Sequence, residues 1–302
     1  MTALPETNTP PPAQTPFREF LSDFIASPLA LVGFIALVLI VLVALFAPWI
    51  APQNPYDLMQ LDIMDGKLPP GSEGGLGQIY LLGTDDQGRD MFSAILYGLR
   101  ISLFVGVGST VIAFAVGTTL GLIAAYRGGR IETMIMRLVD LQLSFPAILV
   151  ALMILALLGR GVTNVVLALV IVGWAYYTRV ARASALAERE REYIQAAQCL
   201  GLSSWRIMFR HLLPNCMPPL IVIASIEVAS AIALEATLSF LGLGVPVTEP
   251  SLGLLISNGF QYMLSGEYWI SFYPGLALLI TIVAINLVGD RLRDVLNPRS
   301  QR

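Results

Sequence analysis

The chain has 302 residues, of which 56% are hydrophobic and 13% are charged, with a mean hydropathy of +0.72 and a formal net charge of −3. This composition excludes an ordinary soluble domain and an intrinsically disordered chain. A soluble fold would also have to bury several uncharged runs of about 20 residues, each long enough to cross the ~30 Å hydrocarbon core of a membrane. The composition therefore predicts an all-α integral membrane protein.

The N-terminal region is expected to lie outside the membrane core. Residues 1–16 are rich in Pro and Thr, which predicts a disordered tail. Apolar side chains between Phe17 and Ile25 recur at the spacing of one helix face, so residues 17–28 are predicted to form an interfacial amphipathic helix. The apolar run that follows lacks the basic start and short apolar region of a cleavable signal peptide, and we interpret it as a retained anchor.

Six apolar runs are predicted to be membrane-spanning helices. The first covers residues 29–50, and the others lie within a core at 101–289, at about 101–126, 138–158, 162–178, 216–244 and 270–289. A polar tail at 290–302 completes the chain.

Lys and Arg residues are distributed unevenly over the connecting segments. With the N-terminus in the cytoplasm, fourteen of the 18 basic residues fall in cytoplasmic segments, and the outside keeps only Lys67, Arg89, Arg100 and Arg160. Cytoplasmic segments of membrane proteins carry an excess of Lys and Arg. The bias therefore predicts that both termini are cytoplasmic and that residues 51–100 form an external, periplasmic segment.

This external segment is acidic and contains the stretch Leu-Gly-Thr-Asp-Asp-Gln-Gly-Arg-Asp at residues 82–90. An amphipathic run follows as far as Arg100. Thr84 or Asp85 is expected to cap that helix, because their side-chain oxygens can accept hydrogen bonds from its first N–H groups. Taken one by one, the aspartates are interpreted as parts of a solvated cap structure.

A polar island at residues 179–215 interrupts the apolar runs, and its part at 192–215 is called the polar hairpin below. Two short helical patterns meet there at Gly201, a residue that readily adopts the left-handed conformation that closes a helix. Ser203 or Ser204 can cap the second helix, and Pro214 is expected to end it.

Adjacent small residues in the polar hairpin, Ala196 and Ala197, would let another protein approach the backbone closely. A membrane protein has no other evident use for such a hairpin on its cytoplasmic side. The hairpin is therefore predicted to be a docking surface for a cytoplasmic partner.

Three acids lie within the predicted spans. Each would cost about 2.5–3.5 kcal/mol at a lipid-exposed midplane, so each has to face protein or water. Asp140 follows Arg137 by three residues and is interpreted as half of an ion pair. Glu227 and Glu235 are eight residues apart with Ala231 between them, which places all three on roughly one face. This face is predicted to line a path, a gate or a subunit interface.

Several classes of chemistry are absent from the sequence. The single lysine, Lys67, does not lie in a phosphate-binding loop of the G-x-x-x-x-G-K-[ST] type, and the single histidine excludes a His-Glu-x-x-His zinc site. No basic and aromatic pattern suggests nucleic-acid binding. No catalytic or metal-binding residues are predicted, and any ATP used in transport would have to be bound by another chain.

The polar hairpin resembles the signature loop of ABC-importer permeases, which reads Glu-Ala-Ala, three residues, Gly, nine residues, Ile, one residue, Leu-Pro. The positions that match this spacing, and to which the resemblance assigns ATPase coupling, are Gln195, Ala196, Ala197, Gly201, Leu213 and Pro214. Gln195 replaces the glutamate of the pattern and His211 replaces the isoleucine. The stretch from Arg210 to Asn215 is similar to the version in dipeptide and oligopeptide permeases.

The stretch at 82–90 resembles the external signature of C-type dipeptide and oligopeptide permease subunits. The resemblance assigns an external, partner-facing role to Thr84, Asp85, Asp86, Gly88, Arg89 and Asp90. It extends from about Phe17 to Pro298 and is closest to the dipeptide permease.

The resemblance implies the type I ABC importer permease fold, with six transmembrane helices and a cytoplasmic coupling helix, in a bacterial inner membrane. It also implies a heteromeric complex with a second, homologous permease, two ABC ATPases that bind ATP and Mg²⁺, and a periplasmic substrate-binding protein. This chain would be a non-catalytic subunit without a cofactor of its own, in contact with lipid and with the peptide substrate.

Other functions remain open from the sequence. Permeases for longer peptides, nickel or opines have similar sequences. An ion-gradient-driven secondary transporter could use Asp140, Glu227 and Glu235 as a proton relay, although we find none of the internal repeats typical of that class. A membrane-bound enzyme is the third alternative, and no nucleophile–base or metal constellation supports it.

Overall fold

The computed structural model describes residues 22–75, 77–246 and 248–296, except for the side chain of Leu58. The predicted tail at 1–16, the start of the predicted interfacial helix and the end of the predicted C-terminal tail lie outside these ranges. Residues 22–25, within the predicted interfacial helix, are helical.

The described chain is mainly α-helical, as the sequence predicts. In chain order the helices are α1 Pro28–Leu45, α2 Ala47–Ile50, α3 Met91–Arg127, α4 Gly129–Leu143, α5 Ala147–Leu158, α6 Val162–Arg189, α7 Glu192–Cys199, α8 Ser204–Phe240, α9 Leu252–Phe260 and α10 Trp269–Leu296. Within the described residues, α1, α3, α6, α8 and α10 are long and apolar enough to cross a membrane, and α4 with α5 forms a sixth, bent candidate.

The third predicted span, 138–158, is not one continuous helix in the structure. Helices α4 and α5 meet at an angle of 91°, with Ser144, Phe145 and Pro146 between them. Pro146 occupies the N-cap position of α5 with an extended ψ of 129°. A proline disfavours helical backbone in the residue before it, so this tripeptide breaks the run that hydropathy alone joins.

Helix α3 begins at Met91, before the predicted span at 101, and its cap is Asp90 rather than Thr84 or Asp85. The Asp90 carboxylate accepts hydrogen bonds from the backbone N–H of Ser93 at 2.9 Å and from the Ser93 hydroxyl at 2.5 Å. The prediction that Thr84 caps the helix was wrong because its hydroxyl already accepts a hydrogen bond from the backbone N–H of Leu68.

Pro214 does not end the second helix of the polar hairpin. Helix α8 continues through it, with a π-helical turn at Ile207–Leu212 followed by α-helix over Leu213–Phe240. The N–H of Leu213 bonds to the carbonyl of Met208, five residues back. This change of register lets the helix accommodate a proline, whose ring would otherwise meet the carbonyl four residues back. Ser203 occupies the N-cap position without a side-chain hydrogen bond.

Helices α3 and α6 form the closest helix pair in the core. A Cβ built on Gly117 would meet the Trp174 carbonyl, and one on Gly121 would lie 2.6 Å from both the Thr178 carbonyl and the Ala181 Cβ. Small residues one turn apart let two membrane helices approach to backbone contact. The pair buries Tyr177, which is fully inaccessible, and carries the base of the polar hairpin.

The segment at 51–100, which the sequence predicts to be external, contains a small antiparallel hairpin that hydropathy did not predict, formed by β1 Ser72–Glu73 and β2 Ile79–Tyr80. The Tyr80 hydroxyl donates to Asp65 at 2.9 Å, and the same carboxylate accepts from the N–H of Gly75. Burial, together with the Asp65 carboxylate, raises the pKa of Tyr80 to about 12. The segment is therefore a folded cap with its own hydrogen-bond network.

Candidate functional site

The polar hairpin is closed by the backbone geometry that its sequence predicts. Gly201 follows α7 with φ +71°, and its N–H bonds to the Gln198 carbonyl at 2.9 Å. The N–H of Leu202 bonds to the Ala197 carbonyl at 3.3 Å. These two bonds form a Schellman motif, which satisfies carbonyls that the end of a helix leaves free. A Cβ on Gly201 would have no neighbour within 4 Å, so its backbone angle, not crowding, favours glycine here.

One face of the hairpin is anchored in the core. Ile194 and Ala197 from α7, together with Ile207, Met208 and Leu212 from α8, pack in one buried cluster with Tyr177 of α6. The residues of the predicted coupling signature therefore divide between two environments. Ala197 is buried, Leu213 is half-buried, and four are exposed: Gln195, Ala196, Gly201 and Pro214.

The exposed face of the hairpin carries large apolar side chains among polar ones, and these apolar residues were not singled out in the sequence. Leu200 is 78% exposed and Trp205 is 57% exposed. The rings of Trp205 and Phe209 are stacked, with centroids 5.3 Å apart and planes 13° apart. An i, i+4 aromatic pair within an otherwise polar stretch was the available signal, because side chains at that spacing lie on one helix face.

The base of the hairpin is tied to α3 by a side chain as well as by packing. The guanidinium of Arg189, at the end of α6, donates to the Ala125 carbonyl near the end of α3 at 2.7 Å. On the other side, Asn215 donates to the Tyr193 hydroxyl at 3.0 Å and so joins α8 to α7. The hairpin thus has fixed connections to three of the long helices.

The two acids of α8 lie in different environments, although the sequence placed them on roughly one face. Glu235 is fully buried, and its carboxylate accepts hydrogen bonds from Ser102 of α3 at 2.9 Å and from Ser239 at 2.7 Å. Glu227 is half-buried and lines a cavity of about 190 Å³ with Ala231 and Ser230. Glu235 therefore joins two helices, whereas Glu227 faces open space.

A larger cavity, of about 610 Å³, adjoins the part of α8 that precedes Glu227. Its walls come from α6, α8 and α10: Val180, Asn215, Pro218, Pro219, Val222, Ile223, Ile226, Arg293 and Leu296. Pro218 and Pro219 lie inside the helix and lack N–H groups, so the carbonyls four residues earlier lose their helical donors. Cavities therefore follow α8 from the polar hairpin to the middle of the helix.

Asp140 forms an ion pair, but its partner is not the neighbouring Arg137. The guanidinium of Arg179 on α6 donates to the Asp140 carboxylate at 2.7 Å. Arg182, one turn further along α6, pairs with Glu132 of α4. Both pairs join α4 to α6, and the sequence missed them because the partners are about 40 and 50 residues apart.

Most residues of the predicted partner-facing signature at 82–90 are buried within the folded cap. Thr84, Asp85, Arg89 and Asp90 are buried, and a Cβ on Gly88 would meet the Asp62 carbonyl. Burial raises the pKa of the Asp85 carboxyl, which the Arg89 guanidinium 3.8 Å away opposes. Only Asp86 is half-buried among the charged members, and contact with a partner stays a prediction. No group of three or more described His, Cys, Asp or Glu residues is arranged to hold a metal ion.

The chain belongs to the family described as binding-protein-dependent transport system inner membrane component, whose model matches residues 117–302. It is therefore a membrane-spanning permease component of such a transport system. The model of the N-terminal transmembrane domain of oligopeptide transport permease C also matches, over residues 15–70.

Curated relatives are similar over nearly their whole length. The di/tripeptide transport system permease protein DppC of Pseudomonas aeruginosa is 42% identical over 287 residues, which cover 94% of this chain and 93% of the relative. The dipeptide transport system permease protein DppC of Escherichia coli is 41% identical over 289 residues, which cover 96% of this chain and 95% of the relative. The dipeptide transport system permease protein DppC of Haemophilus influenzae is 38% identical over 286 residues, which cover 95% of this chain and 96% of the relative.

The fold is also similar to that of a solved transporter. A structure of the methionine ABC transporter MetNI in an inward-facing conformation aligns with a TM-score of 0.55 at 20% identity, covering 68% of this chain and 98% of the other. This likeness confirms the type I importer permease fold that the sequence resemblance implied.

Proposed function

We propose that this chain is the transmembrane subunit of an ATP-driven importer that carries dipeptides or short peptides across the bacterial inner membrane. The names of relatives 38–42% identical over almost the whole chain support a peptide cargo. Separate ATPase subunits bind Mg²⁺ and hydrolyse ATP, since the single lysine of this chain lies outside any phosphate-binding loop. A second, homologous permease and a periplasmic peptide-binding protein complete the complex.

The polar hairpin is the proposed contact with an ATPase subunit, and its geometry is the observation that carries the function. Its buried face is packed on α6, while Leu200, Trp205 and Phe209 remain exposed beside Ala196. Movement of an ATPase can shift the membrane helices only through contacts that differ in free energy between two states. A hairpin connected to α3, α6 and α8 transmits such a shift to the core.

The proposed translocation path follows α8. The cavities of about 610 Å³ and 190 Å³ are lined by successive residues of this helix, from Asn215 to Leu234. The exposed Ser230 and Thr237 are polar, which favours a wet path or a subunit interface over lipid. Glu235, enclosed by two serines, is proposed to hold α3 and α8 together beside the path.

The proposed orientation places both termini and the polar hairpin in the cytoplasm. The fourteen-to-four distribution of basic residues supports it. The folded cap at residues 51–90 then lies in the periplasm, where a peptide-loaded binding protein docks.

Reconstitution tests this function directly. In proteoliposomes that contain both permeases and both ATPases, labelled dipeptide should accumulate only with the binding protein and ATP, and an ionophore should not stop it. Uptake that persists without ATP and collapses with an ionophore would instead identify an ion-gradient-driven transporter. ATP hydrolysis by this chain alone would overturn the assignment of hydrolysis to partners.

A further inference from the structure

Glu227 is an acid that lies near the buried Tyr177 of α6 but is not hydrogen-bonded to it. Within the described ranges, no hydrogen bond or ion pair engages its carboxylate, whereas Glu235 two turns away is bonded to two serines. The side chain of Glu227 is half-buried and forms part of the wall of the 190 Å³ cavity. Because a charged acid within a membrane span is costly, the ionised form of Glu227 needs water or a cation that enters this cavity.

The neighbours of Glu227 suit an ammonium group. Ser230 follows by three residues, so its hydroxyl lies on the same side of α8, and it lines the same cavity. Tyr176 of α6 also lines this cavity and is 40% exposed. A carboxylate and a hydroxyl can accept hydrogen bonds from an ammonium group, and an aromatic ring attracts a cation to its face.

The size of the cavity indicates which part of a ligand would bind. Pockets for whole small molecules commonly measure about 300–1,000 Å³. The cavity at Glu227, of about 190 Å³, is smaller and fits one end of a short peptide. The separate cavity of about 610 Å³, whose lining includes Ile226 on the same helix, is large enough for the remainder.

We propose that Glu227, with Ser230 and Tyr176, binds the protonated α-amino group of the peptide while it passes through the membrane. This inference rests on the proposed function, since it names the part of the peptide that the path recognises. An α-amino group has a pKa of about 7.7–8.0 and is largely protonated near neutral pH. The site therefore favours peptides with a free N-terminus and adds a second selection to that of the binding protein.

The test compares two cargoes in the reconstituted complex. One is a labelled dipeptide, and the other is its analogue without the α-amino group. Binding-protein occupancy is first matched by titration, so that any difference in uptake arises in the permease. The wild-type complex should transport the dipeptide about tenfold faster or more, the loss expected when one hydrogen-bonded charge is removed. In Glu227→Gln, dipeptide uptake should fall to the rate of the analogue, while assembly and binding-protein-stimulated ATP hydrolysis persist.

Two further variants complete the test. Glu227→Asp keeps the charge and should retain most of the discrimination, and Tyr176→Leu should weaken it without abolishing assembly. Discrimination by Glu227→Gln equal to wild type would overturn this inference and leave the proposed function intact. Loss of the second permease from the Glu227→Gln complex would also overturn it, because the acid would then belong to the subunit interface. Failure of the wild-type complex to transport any peptide would overturn both.

Discussion

The indole ring of Trp205 stacks on the ring of Phe209 on the exposed face of the polar hairpin. Stacking on Phe209 favours this orientation of Trp205, which reduces the side-chain entropy lost on docking. Exposed, pre-oriented aromatic residues are typical of the few positions that dominate an interface.

We expect Trp205→Ala to weaken binding of the ATPase subunits by about 2 kcal/mol or more, the loss typical of an interface hot spot. Co-purification of the ATPases with the tagged permease measures this change. The matched control is Trp49→Ala. It removes an indole that is also exposed, at 79%, but that lies in α2 and not in the polar hairpin. Equal ATPase recovery with both variants would exclude the hairpin as the main docking surface.

Substitutions at Gly201 should follow backbone conformation and not side-chain volume. The position has φ +71° and open space around it, so asparagine, which tolerates the left-handed region, should preserve peptide uptake. Gly201→Val should abolish uptake while the protein still inserts, since β-branched residues strongly disfavour this conformation. Uptake and membrane content are measured together. Normal uptake with valine would show that the Schellman motif is dispensable.

Glu235 variants separate a structural role from a proton relay. Glu235→Leu would leave two buried hydroxyls without their acceptor and should destabilise the complex by on the order of 2 kcal/mol. Glu235→Gln keeps an acceptor oxygen and should assemble normally, with only a modest loss of uptake. Thermal unfolding of the purified complex and uptake between about pH 6 and 8, where a relay acid would have to titrate, are the measurements. Complete loss of uptake in a stable Glu235→Gln complex would favour the relay.

The α3–α6 contact offers a pair of matched glycines on one helix. Gly121→Leu should prevent accumulation of folded protein, because its Cβ would lie 2.6 Å from the Thr178 carbonyl and overpacking costs about 1–3 kcal/mol or more. Gly108→Leu should be tolerated, since a Cβ there has no neighbour within 4 Å. The yield of monodisperse protein in detergent reports both outcomes. Similar yields would contradict a close approach of the two helices.

Cysteine labelling tests the orientation. Both native cysteines, the exposed Cys199 and the buried Cys216, are first replaced by serine so that they cannot react with the reagent. A cysteine at Ser72 of β1 should then react with a membrane-impermeant reagent once the outer membrane is permeable. A cysteine at the exposed Ser203 should react only after the inner membrane is opened. The opposite pattern would reverse the proposed topology.

Local features of the site could be predicted from the sequence, and long-range ones could not. The helix end at Gly201 depends on one residue's backbone preference, and the structure has the left-handed angle there. The start of α3 depends on which of several carboxylates is free to cap it. Asp90 occupies the N-cap partly because the side chain of Gln53, 37 residues away, accepts a hydrogen bond from its backbone N–H. A local sequence pattern therefore cannot show which carboxylate caps α3.

The two acids of α8 show the same limit. Glu227 and Glu235 have similar apolar neighbours along the chain, so the sequence gives them similar roles. Their difference arises from Ser102, which is 133 residues from Glu235. The π-helical turn before Pro214 was missed for a related reason, because proline rules describe a regular α-helix and not a change of register.

The right-angled break between α4 and α5 affects how this protein is made. Helix α5 has 12 residues and spans about 18 Å, well short of the ~30 Å hydrocarbon core. A segment of that length is poorly retained in the bilayer when it leaves the translocon alone. Helix α6 begins four residues after α5 ends and packs against it through Leu155 and Val165. The two helices are therefore expected to enter the membrane as a unit, so synthesis has to proceed past α6 before the first half of this protein acquires its final topology.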